Sequence, residues 1–145
     1  MRTQARHALA VTAGLFLGGL VVQVFLAGVG LFEVASMDYH RGFGYLLPYL
    51  TLLLLLEAAL ARPGRRVGAL VVGVFVLGGV IQPLLPAFKD TGLAWIAALH
   101  PPNALLVSWL SLVLARDATR LARLEQVKSP GGGPARAREG ERLRS

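Results

Sequence analysis

Five polar side chains interrupt otherwise apolar stretches of the chain: Gln23, His40, Gln82, His100 and Asn103. Such groups are costly in hydrocarbon and tend to mark function, so whatever chemistry the chain carries is sought there. Two imidazoles on different segments can hold a haem iron, a divalent metal or a quinone head group, or relay protons. Haem b is therefore a candidate cofactor, with His40 and His100 as its axial ligands. The same side chains can equally act as structural glue, hydrogen-bonding between helices for about 0.6–2 kcal/mol each. Both readings stand on the residues alone.

The segments that must position them are long and apolar. Of 145 residues, 54% are hydrophobic, more than a small soluble domain can hide. Runs approaching 20 residues predict helices rather than barrel strands, at about 8–32, 40–61, 67–87 and 93–114. The first run is too long for a signal peptide's apolar core and is expected to be retained. The fold class expected is an all-α integral membrane four-helix bundle over residues 1–116. An amphipathic extension follows over 117–128, and a disordered basic tail over 129–145.

Orientation follows from the basic residues. Arg2, Arg6, Arg62, Arg65, Arg66 and every lysine and arginine after Leu114 fall on one side of the alternating spans. Only Arg41 and Lys89 fall on the other. Both termini are therefore expected in the cytoplasm.

Counting 1.5 Å per residue from the arginines places Gln23, Gln82 and His100 at about 24–25 Å, in the outer third of the span. His40 comes out at about 33 Å. The start of the fourth helix decides whether the histidines meet. Pro101 and Pro102 suit a first turn better than an interior, and a helix beginning at Pro101 raises His100 to about 30 Å, close to His40. Either way an outward-facing polar cluster is expected, with Asn103 one turn below His100.

Other features carry less. Glu57 is expected to snorkel or pair near the inner headgroups, too far away to share the histidine site. Ala10, Gly14 and Gly18 form a small-residue seam, continued by Gly28 and Gly30, expected to pack within the monomer, with a homodimer as the alternative. Tyr39, Tyr45, Phe88 and Trp95 fit an outer aromatic belt, and Trp109 is expected to pack inside. No internal repeat stands out. No cysteine is present, which excludes disulfides and thiolate sites. No catalytic triad, phosphate loop, zinc motif or carboxylate pair occurs, so the chain does not read as an enzyme. The +7 charge flanks apolar segments without the aromatic pattern of a nucleic-acid binder. The expected partners are the lipid bilayer and a second copy or another membrane protein.

The run QVFLAGVGLF from Gln23 to Phe32, the residues Asp38-Tyr39-His40-Arg41 with Gly44, Gln82, and the run LHPPNAL from Leu99 to Leu105 together form a pattern. Through them the chain, over roughly 8–116, resembles the small four-helix bacterial membrane proteins of domain-of-unknown-function family 6220. The resemblance implies a multi-pass protein of the bacterial cytoplasmic membrane and no known activity. The expectation is a binding or accessory membrane protein, with a redox or proton-handling subunit, linked to haem or quinone, as the alternative. An oligomeric transporter is the third reading.

Overall fold

The computed structural model describes residues 2–128, and the tail expected over 129–145 lies outside them. The described chain is helical throughout, with four segments long and apolar enough to cross a membrane: Arg2–Leu31, Asp38–Ala61, Arg65–Phe88 and Ala94–Leu124. The first three are named α1, α2 and α3. The fourth begins with a short turn, Ala94–Ala97, that leads into one continuous helix, α4 (His100–Lys128). Each helix packs on the next, and α4 closes the bundle against α1.

Prolines decide where the helices break. Pro48 has no N–H to offer the carbonyl of Gly44, four residues earlier, and α2 divides there into Asp38–Gly44 and Leu47–Ala61. Pro101 and Pro102 sit in the first turn of α4, where a missing N–H costs nothing. The helix is anchored instead by the Asn103 N–H donating to Leu99 O at 2.9 Å. Upstream of Pro83 and Pro86, α3 widens into a π-helical stretch, Phe75–Ile81, and its last turn tightens to a 3₁₀ form. The α2–α3 connector turns through Arg62 and Gly64, both at positive φ (46° and 89°).

The inner seam inverts the pattern of a soluble bundle. Leu9, Ala13, Phe16 and Leu20 of α1 are buried at three- and four-residue steps, against Thr51, Leu54 and Ala61 of α2 and Val71, Val74 and Gly78 of α3. From α4 come Val107, Ser111, Leu114 and Ala118. Many of these are small or polar, whereas Leu15, Phe25, Leu56, Val72 and Leu105 point outward. A helix that is apolar all round has no single hydrophobic face to bury. Close backbone approach then sets the packing: a β-carbon at Gly78 would stand 3.0 Å from Val107 Cγ1.

Two expectations are corrected here. Gly14 and Gly18 do not pack within the monomer: a β-carbon at either would meet nothing within 4 Å. The buried face of α1 follows Leu9, Ala13, Phe16 and Leu20, and turns Gly14 and Gly18 outward, while Ala10 packs on the core and Gly30 against Met37. Trp109 is not inside the bundle either. It is 64% exposed, on the same outer stripe as Leu105 and Leu112.

Candidate functional site

At one end of the bundle, Gln23 lies near the end of α1 and His40 in the first turn of α2. The Gln23 Nε2 donates to His40 O at 2.8 Å, and His40 Nδ1 donates back to Gln23 O at 3.1 Å. The same arrangement recurs in the second half of the chain. Gln82 follows the π-helical stretch of α3, and His100 opens α4. Gln82 Nε2 donates to His100 O at 3.1 Å, and His100 Nδ1 donates to Gln82 O at 3.1 Å. The separations in sequence are 17 and 18 residues. A repeat that the sequence did not reveal is thus written in hydrogen bonds. The residues around each pair differ, so no run of letters betrays it.

These contacts fix the chemistry of both rings. A backbone carbonyl only accepts, so each Nδ1 carries the proton and each Nε2 of the neutral ring is left with a lone pair. The glutamine amides stand 3.4 Å (Gln23) and 3.2 Å (Gln82) from those Nε2 atoms. Across the bundle axis the two imidazole centroids are 6.3 Å apart, with planes inclined at 77°. The histidines of the two hairpins therefore face one site. The 9 Å gap in depth left by a straight fourth helix does not arise, because α4 begins at His100.

Asn103 belongs to the set as expected. Its Nδ2 donates to Gln82 Oε1 at 2.6 Å and to Leu77 O at 3.0 Å. Leu77 O also accepts the Gln82 N–H across the π-turn. The widened turn and Asn103 thus hold Gln82 together, with the side chain aimed at His100. No counterpart serves Gln23, whose Oε1 is buried and has no hydrogen-bond partner.

A cavity of about 330 Å³ adjoins the cluster, within the range of small-molecule and cofactor sites. Phe16, Leu20, Val24 and Val107 give it apolar walls, and Gln23, His40, Gln82 and His100 give it polar ones. Arg41 also lines it, from the exposed rim, where its guanidinium pairs with Asp38 at 3.1 Å. In the sequence Arg41 served as an orientation marker and as part of the family pattern, without a place in the site. Its place directly after His40 was the available signal. Gly44 was noted only as part of a pattern; a β-carbon there would lie 2.6 Å from Gln23 Nε2. No group of three or more His, Cys, Asp or Glu able to hold a metal occurs among the described residues.

Glu57 departs from expectation. It does not reach the surface: it is 9% exposed and accepts a hydrogen bond from Thr12 Oγ1 at 2.9 Å, with Oε2 buried and unpartnered. A glutamate snorkels only along a free path, and here α1 covers it.

A family model described as "Family of unknown function (DUF6220)" matches residues 23–87. The match contains Gln23, His40 and Gln82 and stops short of His100 and Asn103, a narrower span than the resemblance suggested. No curated protein and no solved structure matches the chain.

Proposed function

For this chain, whose residues 23–87 match that family of unknown function, we propose the role of a membrane-spanning b-type haem protein. His40 and His100 would hold the iron, and the adjoining cavity would take part of the haem ring. The observation that carries the reading is the 6.3 Å between imidazole centroids, each ring having its Nδ1 tied to a carbonyl of its own hairpin. An imidazole–metal bond of about 2.0 Å, plus the short reach from ring centre to Nε2, makes two such rings on one iron about 6–6.5 Å apart. Outer ligands that fix the tautomer through Nδ1 are what metal-bound histidines ordinarily have.

The tautomer also favours haem over a quinone. With Nδ1–H committed to the backbone, the neutral rings offer lone pairs and no proton to a quinone carbonyl. Two histidines without a third ligand are also few for a divalent metal, which takes four or more. Haem brings the other four donors itself. Arg41 at the rim would pair with a propionate, as guanidinium–carboxylate recognition allows. When bound, haem would supply a one-electron couple, which suits a role in electron transfer. The protein's residues hold the iron, fix the ring orientation and wall off water.

The four apolar helices, the outward-facing leucines and valines and the one-sided arginines support a multi-pass location with both termini cytoplasmic. On this reading the histidine end lies at the outer leaflet of a bacterial cytoplasmic membrane. The test is an absorption spectrum of protein purified from haem-replete cells. A Soret band with low-spin α and β bands is expected, converted to a high-spin spectrum in His40→Ala and in His100→Ala. A colourless protein that also takes up no added haemin would refute the assignment.

A further inference from the structure

A second feature lies at the opposite end of the bundle and is independent of the histidines. There α1 and α4 form a shallow open groove of about 600 Å³. Leu17 and Leu112 line one end, Arg116, Arg120 and Arg123 follow, and Leu124 and Val127 lie beyond. The arginines recur at four and three residues, so one helical stripe carries all three guanidiniums within about 10 Å of rise.

Two other cations at this end are engaged: Arg66 Nε pairs with Asp117 at 2.8 Å, and Arg6 Nε donates to Ala61 O at 3.3 Å. Among the described residues, Arg116, Arg120 and Arg123 form no ion pair and all three are exposed. Thr119, on the same wall, spends its hydroxyl proton on Ala115 O at 2.7 Å. Its oxygen offers no competing negative charge.

We propose that this groove is a binding site for an anionic glycerophospholipid of the inner leaflet. The step from Leu17 and Leu112 to the arginines matches the step from acyl chain to phosphate in such a lipid. An acyl chain would lie along Leu17 and Leu112, and the phosphate would reach the guanidiniums one to two turns further on. Apolar side chains beside the basic stretch suit an amphiphile, whereas a soluble polyanion would use the arginines alone.

The experiment uses the full chain in mild detergent, titrated with phosphatidylglycerol or with phosphatidylcholine and read by native mass spectrometry. Arg116→Gln/Arg120→Gln is compared with Arg62→Gln/Arg65→Gln, which removes the same charge from the same end. The expected result is retention of phosphatidylglycerol over phosphatidylcholine, falling by about five-fold or more in the groove variant and unchanged in the control. Should the double variant fail to fold, Arg120→Gln alone is expected to give a smaller drop in the same lipid. Equal losses in both variants would overturn the site and leave a diffuse charge effect. So would indifference to headgroup, displacement of the lipid by millimolar inorganic phosphate, or recovery of a soluble partner on the groove in place of lipid.

Discussion

Phe43 occupies, one turn after His40, the position that Asn103 occupies one turn after His100. The substitution is the main asymmetry of an otherwise repeated site. Asn103 satisfies Gln82 Oε1, whereas Gln23 Oε1 is buried without a partner. An orphaned buried carbonyl costs about 1–3 kcal/mol. The first hairpin therefore holds its histidine less firmly than the second.

Asn103→Leu should make the second hairpin resemble the first. It removes the donor to Gln82 Oε1 and to Leu77 O, and a loss of about 1–3 kcal/mol is expected. Thermal unfolding in detergent measures this, and an unchanged Tm would show that the Asn103 bonds carry no net energy.

Gly44→Ala is expected to disable the first clamp. The new methyl would press on Gln23 Nε2 at 2.6 Å, and overpacking of this kind costs about 1–3 kcal/mol. Gly42→Ala, two residues earlier, meets nothing within 4 Å and should be neutral or slightly stabilising. Comparing the two isolates the clamp from helix propensity. Equal behaviour would mean that Gln23 simply moves aside.

Gln82→Ala should act on His100 at two points, since the Gln82 amide donates to His100 O and stands 3.2 Å from His100 Nε2. Losing the donor to His100 O frees the ring to swing. Weaker haem retention and a displaced redox midpoint are expected, with a partial return in Gln82→Asn only if the shorter amide still reaches. Redox titration followed at the Soret band distinguishes this positioning role from a general loss of fold, which would bleach the protein.

Gly14→Leu places a large side chain on an outward face where nothing lies within 4 Å. Stability of the monomer should change by less than about 0.5 kcal/mol. A crosslinked dimer that disappears in this variant would show that the seam serves a second copy, and persistence of the monomer's Tm would confirm that its own bundle does not use it.

Much of the architecture was legible in the sequence because membrane-length apolar runs are long and repetitive signals. His40, His100, Gln23, Gln82 and Asn103 were legible for the opposite reason: polar letters in such runs are rare. The pairing was not. Depth counting left the start of the fourth helix open between two placements, and the break ahead of Pro48 and the π-helical stretch of α3 alter the rise per residue. The burial of Glu57 and the exposure of Gly14 and Trp109 depend on how each helix is rotated. Helices apolar on every side carry little trace of that rotation in their letters.

Every hydrogen bond that Gln23, His40, Gln82, His100 and Asn103 make through their side chains stays inside one hairpin, α1 with α2 or α3 with α4. Between the histidines themselves there is only proximity. Each half of the molecule can thus finish its own jaw before the other is inserted, and a guest gripped from both sides would be the rivet joining two prefabricated parts. Loading would then be felt as tightened cohesion between halves, with little rearrangement inside either.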